Sequence, residues 1–136
     1  MKKHLVYVMG ALYVLAGINH FYNPSFYFLV MPNWLPAHLT LIYISGVAEI
    51  LLGVGLWFKQ TRRISAWLIV AMLIVFIPLH VDMVLHPEKL VDGWVNKTIG
   101  YLWEPPFPRI IAMLCARVAV QFVFIYWAWV YTKKDV

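Results

Sequence analysis

The sequence predicts an all-α membrane protein, a four-transmembrane-helix bundle with interfacial segments between its spans. Two observations predict it. Of the 136 residues, 63% are hydrophobic and only 12% charged, with a mean hydropathy of +0.76. The apolar residues fall into four runs, about 4–21, 39–58, 64–86 and 110–131, each near the ~20 residues that cross ~30 Å of hydrocarbon. We read residues 1–136 as one transmembrane domain. The single cysteine, Cys115, excludes an internal disulfide and any CxxC redox pair. The net charge of +5 does not point to nucleic acid, because the basic residues flank apolar runs instead of forming one patch.

The first run follows Lys2 and Lys3, and Val14-Leu15-Ala16 resembles a cleavage site, but we read the run as an anchor. It closes on Asn19 and His20 and breaks at Asn23-Pro24. Residues 22–38, YNPSFYFLVMPNWLPAH, are aromatic and proline-punctuated, too short to span and suited to lying along the interface. The second run carries Ser45, Glu49 and Gly53 at helical spacing and leads into the basic loop KQTRR. The third contains Pro78, which removes a backbone hydrogen bond and predicts a kink. Residues 87–108, with Trp94, Tyr101, Trp103 and EPPFP, predict a surface helix or lid, since a structureless loop of that length is rare. The fourth run ends in Trp127, Trp129 and Tyr131 before Lys133, an aromatic belt.

Lys2, Lys3, Lys59, Arg62, Arg63, Lys133 and Lys134 hold seven of the eleven basic charges. The positive-inside bias therefore predicts cytoplasmic termini and a cytoplasmic 59–63 loop, with the two longer loops outside.

Ionisable or strongly polar groups within the spans are few: Asn19, His20, Glu49, His80, Asp82, Arg117 and Gln121. Glu49 lies about 15 Å below the outer end of its span and Arg117 about 12 Å below its own. All seven fall in the outer half or near the midplane, and they predict a polar, ligand-binding cavity open to the outside and roofed by the aromatic loops. Gly10, Tyr13, Gly17 and His20 share one face of the first span, and small residues beside polar ones mark a bundle interior. A charge at that depth costs at least a few kcal/mol, so Glu49 and Arg117 are expected to pair, directly or through water. The pair either fixes helix register or serves the pocket. His80 shares a site with Asp82 only if Pro78 distorts the span. Asp82 and His86 have a second reading as headgroup contacts at a span's end, and His38 reads as interfacial.

The runs GINHFYNPSFYFLVMPNWLP, SGVAEILLGVGL, TRRISAW and IPLHVDMVLHP resemble the DoxX-like small membrane proteins over most of the chain. The resemblance implies a four-helix bundle in the bacterial cytoplasmic (inner) membrane and an association with thiosulfate and quinone redox chemistry. It transfers no catalytic motif. A more distant likeness is to a membrane chaperone that helps assemble nicotinic acetylcholine receptors.

Four functions follow as expectations. The first is a pocket for a small amphipathic ligand, a quinone or a lipid, with Arg117 and His20 as donors. The second is an accessory subunit of a membrane redox system, whose electrons come from a membrane or periplasmic partner. The third is a metal site on His20, Glu49, His80 and Asp82, a residue set suited to zinc but scattered in sequence. The fourth is an assembly chaperone docking through its aromatic loops. A homo-oligomer is compatible with each, and four spans without an inverted repeat offer little for alternating access.

Overall fold

The computed structural model describes residues 2–87 and 107–133. The described residues are helical throughout, joined by turns: α1 (Lys2–Tyr22), α2 (Pro24–Val30), α3 (His38–Trp57), α4 (Arg62–Leu85) and α5 (Phe107–Val130). All but α2 are long and apolar enough to cross a membrane. Their outward faces are apolar as well: Leu15, Leu51, Ile64 and Val123 are each more than 60% exposed. A water-soluble bundle would bury such residues. A bilayer solvates them, so this is a multi-pass membrane protein. The expected lid falls almost wholly on residues 88–106, outside the described residues.

The four long helices associate as two close pairs, α1 with α3 and α4 with α5. Glycine sets the first pair. A Cβ on Gly17 would stand 2.6 Å from the Gly46 carbonyl oxygen, and one on Gly53 would stand 2.7 Å from that of Gly10. Neither distance leaves room for a side chain, so the backbones touch at two levels. Lipid tails are as apolar as leucine, and close backbone approach therefore takes over the role that hydrophobic burial plays in water.

The two pairs meet in an apolar core at the end of the bundle that carries both termini. Val6, Met9, Leu56, Ala66, Ile69 and Ala128 are all 0% exposed there. The basic loop completes that end. Arg62 Nε donates to the Leu56 carbonyl at 3.0 Å and Arg63 Nε to the Thr132 carbonyl at 2.9 Å, meeting carbonyls that a helix C-terminus leaves open. These arginines therefore have a structural task beside any topological one. Trp57 Nε1 adds a bond to the Tyr7 carbonyl at 3.2 Å.

At the other end the connection from α1 to α3 folds back on the bundle. Pro24 occupies the first turn of α2, where its missing N–H is no loss. His38 Nε2 lies 2.9 Å from the Pro32 carbonyl and closes the following loop, and Ala37 takes the left-handed conformation at φ 53° to make that turn. His38, expected at the interface, is thus a staple within the loop. Pro78 sits inside an unbroken α4, where it leaves the Ile74 carbonyl without its helical donor.

Candidate functional site

Away from the shared core the two helix pairs enclose a cavity of about 650 Å³. Every described helix contributes to its lining: Leu12 to His20 from α1, Tyr27 from α2, Leu41 to Glu49 from α3, Met72 to Met83 from α4, and Arg117 to Phe124 from α5. Its size lies in the range of small-molecule sites, and its walls are largely apolar with a few convergent polar groups.

His20 and Glu49 form the buried polar centre, at 5% and 8% exposure. The glycine contact brings them together. Gly17 and Gly46 fix α1 against α3, and a Cβ on Gly46 would meet His20 Cβ at 2.7 Å. Each Cα–Cβ bond tilts toward its own helix N-terminus, so on antiparallel helices His20 and Glu49 lean toward one another. His20 Nε2 stands 3.5 Å from Glu49 Oε1.

The other ring nitrogen is held by α3. His20 Nδ1 lies 3.0 Å from the Ile42 carbonyl, which Ser45 Oγ also approaches at 2.9 Å. Ser45 Oγ also lies 3.1 Å from Nδ1, so the backbone carbonyl and this hydroxyl hold one ring nitrogen while Nε2 faces the Glu49 carboxylate. Glu49 Oε2, closed to water, has no hydrogen-bond partner among the described residues.

Tyr27 covers this centre. Its ring stacks on His20 at 3.7 Å between centroids and 25° between planes. Asn19 Nδ2 donates to its hydroxyl at 3.0 Å. Burial pushes the Tyr27 phenol above its ordinary pKa. The Asn19 hydrogen bond and Arg117 act in the opposite direction, and Glu49 adds to the rise.

The structure therefore collects five of the seven expected residues, His20, Glu49, His80, Arg117 and Gln121, around one cavity. Asn19 is exposed and acts one step removed, through Tyr27. Asp82 is outside the cavity lining and lies 4.0 Å from His86 one turn along α4. His80 faces the cavity with Nδ1 donating to the Phe76 carbonyl at 2.8 Å, so it does not join Asp82 in one site. Gln121 Nε2 donates to the Leu73 carbonyl at 2.7 Å and ties α5 to α4.

The expected direct Glu49–Arg117 ion pair is corrected. Both residues line the cavity, but among the described residues the ionic partner of Glu49 is His20. The Arg117 guanidinium instead stands 5.8 Å from the centre of the Phe26 ring. Similar depth does not make neighbours: α5 pairs with α4 across the cavity, whereas α1 touches α3 through glycine. Among the described residues no group of three or more His, Cys, Asp or Glu side chains could hold a metal ion, so the expected four-residue metal set is not assembled.

Sequence reading missed Tyr27. Its segment also holds Tyr22, Phe26, Phe28 and Trp34, and nothing in the sequence singles out the ring three residues into α2.

A family model described as Domain of unknown function (DUF8561) matches residues 9–132. No curated protein and no solved structure gives a significant match.

Proposed function

The chain belongs to the family described as a domain of unknown function (DUF8561), and on that footing we propose that it binds a small amphipathic molecule drawn from the bilayer, a quinone or a lipid, as an accessory subunit of a membrane redox system. The observation that carries the reading is the cavity: about 650 Å³, with a buried His20–Glu49 pair at its centre and Arg117 on the opposite wall. Intramembrane ionisable groups lining a cavity are a signature of ligand or ion sites.

Access supports a membrane-dissolved ligand. Leu12 of α1 and Val120 of α5 line the cavity yet are 43% and 47% exposed, and Ile44 of α3 and Val75 of α4 are 60% and 65% exposed. Cavity-lining residues that also face outward mark the seams between the two helix pairs, through which an apolar body reaches the interior sideways. The redox assignment draws on the resemblance to DoxX-like proteins, and the electrons would come from a partner.

Native mass spectrometry of protein extracted in mild detergent is expected to show one bound amphipath, identified as a quinone or a lipid by extraction. Ala48→Phe, which places a ring in the cavity, is expected to eliminate it with stability changed by no more than about 1–3 kcal/mol. Wild-type protein carrying nothing, or Ala48→Phe retaining its ligand, would overturn the assignment.

We further place both termini and the 59–63 loop in the cytoplasm of a bacterial cell, with the cavity in the outer half of the inner membrane; the distribution of Lys and Arg supports this. Reporter fusions after residue 136 and within 88–106 are expected to report opposite sides. An externally accessible C-terminus would reverse the orientation.

A further inference from the structure

We infer that the cavity selects ligands that present a neutral hydrogen-bond-donating hydroxyl, of the phenol type, to Glu49. The inference rests on the ligand-binding reading above and narrows it to the reduced, quinol form of a quinone or to a lipid bearing such a hydroxyl. An oxidised quinone has no O–H to donate. Glu49 is 8% exposed, and its Oε2 is buried without a hydrogen-bond partner among the described residues. Buried polar atoms in native proteins are nearly all satisfied, and a charged acceptor left open is among the costliest exceptions. His20 cannot supply the missing donor. Its Nε2 already faces Oε1, and its Nδ1 is held by the Ile42 carbonyl.

With Oε2 unpartnered among the described residues, the cavity that Glu49 lines gives a ligand's donor a way to reach the carboxylate. The last torsion of a glutamate is broad, so a small rotation turns Oε2 toward the cavity. Water, an ammonium and a hydroxyl are three such donors. A lone water at Glu49 would leave most of a cavity of about 650 Å³ unfilled. An ammonium would add a second positive charge to a lining that already includes Arg117, which has no carboxylate within ion-pairing distance among the described residues. A hydroxyl carries no charge. On an aromatic ring it is also the more acidic donor, which strengthens a bond to a carboxylate. The flat side chains of Tyr27, Phe76 and Phe124 line the same space and match an aromatic body.

The test uses para-heptylphenol and para-heptylanisole, which share a body and differ by a methyl in place of the hydroxyl hydrogen. Both are offered at equal mole fraction to purified full-length protein in mild detergent, and occupancy is read by native mass spectrometry. Wild type is expected to favour the phenol by at least about tenfold, because a site built around a hydroxyl rejects the analogue lacking it. The preference is expected to fall to parity in Glu49→Leu and Glu49→Met, and to persist in Arg117→Met. Equal binding of the two probes by wild type overturns the donor selectivity and leaves the ligand-binding reading standing. Binding of neither probe overturns both. A preference that survives in a folded Glu49 variant removes Glu49 as the acceptor and overturns the inference.

Discussion

Gly17→Leu is expected to separate α1 from α3 and to cause the largest loss of stability of any single substitution at the helix contacts. A Cβ at Gly17 would already lie 2.6 Å from the Gly46 carbonyl oxygen and 2.9 Å from the Ile50 backbone nitrogen. Both are backbone atoms, which cannot swing aside as a side-chain end does. Even Gly17→Ala is expected to cost about 1–3 kcal/mol from overpacking, and leucine more. The sign is the decisive readout. At an open helical position Gly→Ala stabilises by about 0.5–1 kcal/mol, so contact and no contact predict opposite directions. Thermal unfolding in mild detergent measures it, and a stabilised Gly17→Ala would rule out the close approach. The same variants are expected to release the His20–Glu49 pair, and the bound amphipath with it.

The second large effect concerns that pair. Removing one partner from a buried ion pair costs about 3–5 kcal/mol, whereas replacing both with apolar residues is often neutral or better. His20→Leu is expected to destabilise on that scale, since it strips Glu49 of its partner while the carboxylate stays buried. The double variant His20→Leu/Glu49→Leu is expected to recover most of the loss. Arg117→Met is expected to show no such coupling with Glu49 substitutions, because Arg117 contacts the Phe26 ring and not the carboxylate. Additive losses for His20 and Glu49, or strong coupling between Glu49 and Arg117, would reverse the assignment of partners.

These two expectations separate what the sequence discloses from what it withholds. The four spans are legible because hydrocarbon thickness sets a length that hydropathy reveals, and each expected run agrees with its helix to within a few residues. Glu49 and His20 stand out for a related reason: a polar group within a span is costly enough to need an explanation. Their partnership is not legible. Depth along a span follows from rise per residue, but the choice between His20 and Arg117 depends on which helices are adjacent. That adjacency comes from glycine contacts seven residues apart on each helix, Gly10 and Gly17 on α1 facing Gly53 and Gly46 on α3. The pattern is visible in the sequence, but its complementarity appears only once the antiparallel register is known. Tyr27 was hidden for a different reason, since an aromatic loop offers many rings and the one that stacks on His20 is chosen by the fold of α2.

The doubled glycine contact also bears on how the molecule meets bilayers of different thickness. Two touching points along one seam prevent α1 and α3 from sliding or rotating past one another, so they tilt as a single rod. The α4–α5 pair, tied by the Gln121 bond to the Leu73 carbonyl, forms the second rod. Mismatch between hydrophobic length and membrane thickness is relieved mainly by tilt. The expected adjustment here is a tilt of one rod against the other about the shared core near the termini. A thinner or thicker membrane therefore alters the gape of the cavity and the width of its side openings, while the spacing of His20 and Glu49, set within one rod, stays constant.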